Sequence, residues 1–301
     1  MLQWSKFFQN PDFLERTRIE FFIPEYEPLI RKWCGLKNGS RVLDVACGTG
    51  AFTRLLKRGE YEIMATGVDI DETFIARAKE EAKRENLDID FVLGDAMKLP
   101  FEDSCFDVVV SQTFLTSATE PEKVFSEMKR VLKPEGRIAS MNATKFVPEV
   151  LNFGTYTLGC SILWAKELIE LYSKLCLAYE KINPIAGYAT GLKPSLIPNF
   201  FAAQGMKNVC AYSLGKIFSL SNAAISHETK KRWLDLYYSS EEKKLAAYME
   251  FPEFRKNFTQ EEAERYMKLL RMKCDYYLDN PDENEIWEFV GGSNMLITGD
   301  C

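Results

Sequence analysis

One short stretch constrains the fold more than any other: Arg41-Val-Leu-Asp-Val45, then Ala46-Cys-Gly-Thr-Gly50, then Ala51-Phe-Thr-Arg-Leu-Leu-Lys57. The β-branched run reads as a strand, the paired glycines as a tight turn and the apolar spacing after them as a helix. The alternation then repeats. Ile63 to Val68 reads as a strand ending at Asp69, Asp71 as a helix N-cap, and Phe74, Ile75, Ala78 and Ala82 as one helix face. Ile89 to Leu93 is a third strand running into Gly94-Asp95, and Phe106 to Ser111 is the continuous apolar run of a strand buried on both faces. Thr119-Glu-Pro-Glu122 reads as a capping box before a helix through Val124, Met128, Val131 and Leu132, and a fifth strand is expected at about Arg137 to Met141. Strands alternating with helices predict right-handed crossovers and an α/β, Rossmann-like doubly wound parallel sheet, with ligands outside the carboxyl ends of its strands.

Outside this stretch the rhythm changes. Phe22, Tyr26, Leu29, Ile30 and Trp33 predict an amphipathic leading helix over about 12 to 34, broken at Pro24. Residues 145 to 190 read as helical, with Leu163, Trp164, Leu168, Leu171, Tyr172, Leu175 and Tyr179 as bulky apolar groups. A helix over Ser195 to Gln204, a Gly205 stop and a strand from Val209 to Leu220 return to the sheet pattern. A second helical block follows from about Thr229 to Leu278, with capping boxes at Ser239/Glu242 and Thr259/Glu262, before a strand at Asn294 to Thr298. The terminal strand makes both blocks excursions from a single domain over 1–301. Its parts are a lid at 1–38, a core at 40–142, an insertion at 145–190, sheet again at 195–222, an insertion at 226–290 and the last strand at 294–299.

Composition removes several classes of function. With 301 residues, 46% hydrophobic, the chain can bury a real core, and 38 Lys+Arg against 44 Asp+Glu leave a net charge of −6 that attracts neither nucleic acid nor anionic membrane. No stretch of about 18 apolar residues occurs, so no membrane insertion is expected. Eight cysteines without a CxxC pair and a lone His227 predict neither a metal site nor a disulfide framework. Lys6 and Asp12 precede any apolar run of signal-peptide length, so a reduced, cytoplasmic protein is expected, its cysteines small buried hydrophobes and His227 a surface or capping residue.

Three acidic residues mark the strand ends: Asp44 within the first, Asp69 after the second, Asp95 after the third. A glycine turn opening a helix suits phosphate, but here the third glycine of a dinucleotide fingerprint is replaced by Thr53. Asp44 would repel a pyrophosphate and suits a ligand bearing ammonium and sulfonium groups. Asp69 lies at the offset from which a carboxylate accepts both ribose hydroxyls, and Asp95 is placed to accept from the exocyclic amine of a base.

These residues resemble the class I S-adenosylmethionine-dependent methyltransferases, most closely the branch with the ubiquinone/menaquinone-biosynthesis enzymes. The resemblance rests on Val42-Leu-Asp-Val-Ala-Cys-Gly-Thr-Gly50, Gly67-Val-Asp-Ile70, Gly94-Asp-Ala-Met-Lys-Leu-Pro-Phe101, Phe106-Asp-Val-Val-Val110 and Val131-Leu-Lys-Pro-Glu-Gly136, in order over 40–142. It implies a seven-stranded sheet with the last strand antiparallel, and S-adenosyl-L-methionine as cofactor, released as S-adenosyl-L-homocysteine. The cofactor-binding set is then Asp44, Ala46, Cys47, Gly48, Thr49 and Gly50 in the first turn, Asp69 and Ile70, Gly94, Asp95, Ala96 and Met97 around the adenine, and Gln112 near the methyl group. Ser111-Gln112-Thr113-Phe114 stands where nucleobase-amino methyltransferases carry [DN]PP[YF], which argues against nucleobase methylation.

In-line methyl transfer draws much of its catalysis from holding donor and acceptor together in a dry site, so no catalytic base is assigned. Carboxylates, thiols, amines and acidic phenols are the favoured acceptors, and the expected substrate is a small or medium-sized, partly apolar metabolite. The inserts and leading helix are expected to form a lid and pocket, with Trp4, Phe7, Phe8, Phe22 and Tyr26 closing over the cofactor and aromatics among Tyr156, Trp164, Tyr172, Tyr179 and Tyr188 lining it. Alternatives left open are a peptide or protein methyltransferase, a non-catalytic S-adenosylmethionine-binding module and a nicotinamide dehydrogenase. Oligomeric state is open.

Overall fold

The computed structural model describes residues 5, 10–22, 24–144, 159–160, 162–182, 191–215, 218–219, 225–279, 289–290 and 293–301. Trp4, Phe7, Phe8, Tyr156 and Tyr188 lie outside them. The chain divides into two compact units: a sheet unit of Met1–Thr144, Ala189–Gly215 and Ser293–Cys301, and a helical unit of Lys145–Tyr188 and Lys216–Gly292.

In the sheet unit, β1 (Arg41–Val45) lies between β2 (Met64–Asp69) and β4 (Phe106–Gln112), with β3 (Ile89–Leu93) beyond β2 and β5 (Leu132–Thr144) beyond β4. All four of these pairings are parallel. β6 (Lys207–Gly215) and β9 (Ser293–Asp300) complete a seven-stranded sheet of order β3-β2-β1-β4-β5-β9-β6, in which β9 runs antiparallel to both neighbours. The expected mixed sheet with its last strand antiparallel is therefore present.

Alternate residues of β1, β4, β5 and β9 feed two separate layers. Leu43, Val45, Val109, Ile138 and Ile297 pack on one face with α5 (Pro121–Val131) and α7 (Ile197–Ala203). Val42, Val108, Val110, Ala139 and Leu296 pack on the other with α2 (Glu27–Trp33) and α3 (Ala51–Lys57). This two-sided burial is why the strands read as unbroken apolar runs. α1 (Pro11–Phe21) precedes α2, a 3-10 turn at Pro24–Tyr26 marking the break expected at Pro24. α4 (Glu72–Arg84) starts at the expected cap, the Asp71 carboxylate accepting from the Thr73 N–H at 3.0 Å.

Other expectations are corrected. At α5 the N-cap is Glu120 with no side-chain cap, because Pro121 takes the first helical position and needs no N–H acceptor, so the Thr119 box does not form. Ser239 lies inside α8 (His227–Met249) and donates to the Leu236 carbonyl, so it opens no helix. β5 begins at Leu132, ahead of the Lys133-Pro-Glu-Gly136 turn, and β6 ends at Gly215, with Phe218–Ser219 (β7) pairing instead with Phe289–Val290 (β8). Cys160 and Cys210 are exposed rather than buried.

In the helical unit, α10 (Gln260–Asp279) packs against α6 (Leu163–Ile182) and α8, and α9 (Pro252–Asn257) against α6. Here the Thr259/Glu262 capping box is real: each side chain accepts from the other's backbone N–H, at 2.9 and 3.2 Å. No described helix is long and apolar enough to cross a membrane.

Candidate active site

The carboxyl ends of β1, β2 and β3 gather the predicted acids around the glycine turn. Gly50 has φ +76°, and a Cβ there would sit 2.6 Å from the Phe91 ring, so only glycine lets α3 start this close to the sheet. Asp69, the last residue of β2, closes the turn: its Oδ2 accepts from the Gly48 N–H at 2.8 Å and its Oδ1 from the Asp71 N–H at 2.9 Å. The Ile70 N–H also favours its ionised form, and the two oxygens together keep acceptor capacity for a ligand. Cys47, beside it, is buried and its thiol is pushed well above the ordinary range by that burial, so it remains an inert thiol.

Asp44 is only 1% exposed. Burial pushes its carboxyl up to about 7, against the pull of the Thr53 hydroxyl, which donates to Oδ2 at 2.7 Å, and with a further push from the Asp69 charge. Burial likewise lifts Asp69 to about 6, although the N–H groups of Asp71 and Gly48 favour its ionised form. The other Asp44 oxygen, Oδ1, and the Thr49 hydroxyl are buried with no hydrogen-bond partner among the described residues. Burial is the largest cause of both shifts, so a nearby positive charge would relieve it and a nearby anion would add to it, and the unsatisfied Asp44 Oδ1 calls for a donor or a cation. The residues present therefore fit the amino-acid end of a cationic cofactor.

At the end of β3, the Asp95 Oδ1 accepts from the Met97 N–H at 2.8 Å, shaping a turn in which Gly94, Asp95, Ala96 and Met97 are all half-buried. Ile70, after β2, is 42% exposed. These form an open ledge, against the closed surroundings of Asp44. Gln112 ends β4, its Nε2 lying 4.0 Å from the Met141 sulfur, and Thr113 follows with φ +54°, a costly conformation for a β-branched residue. Beside them runs a buried polar chain: the Ser111 and Ser140 hydroxyls are 3.0 Å apart, and Asn142 donates to Ser140 while its Oδ1 has no partner among the described residues. A cleft of about 980 Å³ lies elsewhere, lined by Arg41, Lys79, Lys83, Ile89 and Phe106. Arg41, Ile89 and Phe106 begin their strands, so the cleft is at the other end of the sheet from the glycine turn.

Residues 43–140 match the family described as a methyltransferase domain. The match spans 98 of the 301 residues. The five motifs read above span the same residues, and the resemblance to class I enzymes is borne out. The chain is 38% identical over 109 residues to a ubiquinone/menaquinone biosynthesis C-methyltransferase of Roseobacter denitrificans, covering 35% of this chain and 43% of that protein. It is 36% identical over 137 residues to a sterol 24-C-methyltransferase of Gibberella zeae, covering 44% of this chain and 35% of the relative. The chain thus matches less than half the length of either. The solved structure of a phosphoethanolamine N-methyltransferase 2 of Haemonchus contortus, in complex with phosphomonomethylethanolamine and S-adenosylhomocysteine, has a TM-score of 0.52 at 16% identity, over 99% of this chain and 58% of that one, a likeness of fold.

Several buried polar residues of the sheet unit escaped the sequence reading. Thr53 registered only as a missing glycine, yet it is the hydrogen-bond donor to Asp44. Arg54 and Asn142 belong to no short motif, and only their burial reveals them. His227 is exposed at the start of α8, just after the Ser226 N-cap, as expected of a surface or capping residue.

Proposed function

We propose that this chain is an S-adenosylmethionine-dependent methyltransferase acting on a small or medium-sized, partly apolar metabolite in a reducing, cytoplasmic setting. The observation that carries the cofactor reading is the pair of raised, buried carboxylates, Asp44 and Asp69, flanking the glycine turn. When bound, the cofactor supplies a methyl group on a sulfonium, which an acceptor lone pair takes as the carbon–sulfur bond breaks. Asp44 with the Thr49 hydroxyl would hold the amino-acid end, Asp69 the ribose hydroxyls, and Asp95, Ala96 and Met97 the adenine. Ala46, Cys47, Gly48, Gly50, Ile70 and Gly94 would shape the walls, and Gln112 would orient the reacting end. No described residue stands out as a base, which fits acceptors that ionise readily. The apolar substrate class is supported by the sterol and quinone-pathway names of the relatives and by the aromatic-rich helical unit.

Titration calorimetry with S-adenosylhomocysteine tests the reading. The wild-type chain is expected to bind, and Asp69→Ala to weaken binding by about 1–3 kcal/mol, the cost of leaving polar partners unpaired. A wild-type chain that ignores S-adenosylhomocysteine would sink the proposal. Transfer of a labelled methyl group to candidate phenols, amines and carboxylates would then narrow the acceptor.

A further inference from the structure

Arg54 lies on α3 with its side chain 1% exposed, a buried cation that needs an acceptor for each face of its guanidinium. It finds three, from three elements. One terminal nitrogen donates to the Thr49 carbonyl inside the glycine turn at 2.7 Å, Nε donates to Glu85 just past α4 at 2.8 Å, and the other terminal nitrogen pairs with Glu15 on α1. Glu15 is itself 4% exposed, and its second oxygen has no partner among the described residues. The next residue back, Leu14, seals the turn from outside: a Cβ on Gly48 would meet its Cδ2 at 3.1 Å. Farther along, Asp12 reaches Arg77 at 3.2 Å and Phe22 stacks on Phe52 at 6.1 Å.

We propose that Arg54 and Glu15 are positioning residues through which docking of α1 sets the geometry of the Gly48–Gly50 turn, so that cofactor binding and helix docking favour each other. The proposal rests on the reading of this turn as the cofactor site. A guanidinium is rigid and planar, so its grip on the Thr49 carbonyl depends on where its other two edges are held. With Glu15 in place the Thr49 peptide is fixed by a buried charge. With α1 undocked, Arg54 keeps only Glu85 and is free to turn toward water, releasing the carbonyl. A ligand that needs the fixed turn binds the docked form better, and by linkage holds α1 down.

The test uses the full chain as wild type, Glu15→Gln, Arg54→Lys and Asp12→Ala. Calorimetry gives the affinity for S-adenosylhomocysteine, and hydrogen exchange follows the backbone amides of residues 10–22. S-adenosylhomocysteine is expected to slow exchange across α1 in the wild type. Glu15→Gln and Arg54→Lys are expected to weaken binding about tenfold, the scale of one charged hydrogen bond, and Glu15→Gln to abolish the ligand's protection of α1. Asp12→Ala, which removes a surface ion pair to Arg77, is expected to change neither reading. If Arg54→Lys does not fold, Glu15→Gln carries the test alone. Wild-type affinity and wild-type α1 protection in Glu15→Gln would overturn the coupling while leaving the cofactor reading intact. Absence of binding by the wild type would instead overturn that reading, and the coupling with it.

Discussion

The two units of this chain bury polar groups in opposite ways. In the sheet unit, buried and half-buried polar side chains are tied to backbone: Asp69 to the N–H groups of Gly48 and Asp71, Asp95 to that of Met97, Arg54 to the carbonyl of Thr49. In the helical unit, polar atoms sit among rings. Tyr179 stacks on Phe254 at 5.4 Å, meets the Tyr248 edge at 4.5 Å and receives the Lys244 ammonium over its face at 4.1 Å. The Tyr179 hydroxyl reaches Glu241 at 3.4 Å, while the Tyr266 hydroxyl is buried with no partner among the described residues. Strand register dictates where a strand-end carboxylate goes, so the first arrangement follows from chain order. The second depends on which rings meet, and many ring sets fill the same volume.

The strongest way to break this comparison is Phe254→Ala. Phe254 is fully buried among Tyr179, Tyr248 and Phe258, and its loss should cost about 3–5 kcal/mol in chemical denaturation. S-adenosylhomocysteine affinity, read well below the melting transition, should stay as in the wild type. A matching fall in affinity would show that the cofactor site draws on the ring cluster after all.

A middle-sized effect comes from pH. Asp44 and Asp69 titrate near 7 and near 6, above an ordinary carboxylate, so the folded protein retains protons that the unfolded chain releases between about pH 4 and pH 7. Their contribution favours folding below that window and is lost as pH rises through it. Bound S-adenosylmethionine, carrying ammonium and sulfonium, favours the ionised forms, so binding should tighten as pH rises from about 5.5 to 7 and release protons. Calorimetry in buffers of different ionisation enthalpy reads that release, and Asp44→Asn should reduce it. Proton release unchanged in Asp44→Asn would remove Asp44 from the ligand's surroundings.

The smallest effect sharpens the contrast from the helical side. Tyr266→Phe removes a hydroxyl that the structure leaves unsatisfied, and stability should be unchanged or improved by up to about 1 kcal/mol. A clear loss of stability in urea denaturation would mean that the hydroxyl has found a partner.

What was legible in the sequence divides by what places each group rather than by unit. β1 and β3 fall where their β-branched runs end at turn residues, and Asp71 caps α4 because its short side chain reaches the backbone two residues on. The capping boxes at Thr119 and Ser239 misled because the same spacing occurs beside a proline and within a long helix. The clamp around Arg54 was invisible: Glu15 and Glu85 lie 39 and 31 residues from it, and nothing in the local pattern marks a buried arginine. Pattern reading finds groups placed by the backbone and misses those placed by tertiary partners.

The place of β9 has a consequence for synthesis. Among the described residues β6 pairs with the sheet only through β9, and residues 216–292 intervene between them. As the chain leaves the ribosome, β5 presents an open edge and β6 waits unpaired until residues 293–300 emerge. The nascent chain is most exposed to edge-to-edge pairing with its neighbours during that interval, and a chaperone would protect it best there.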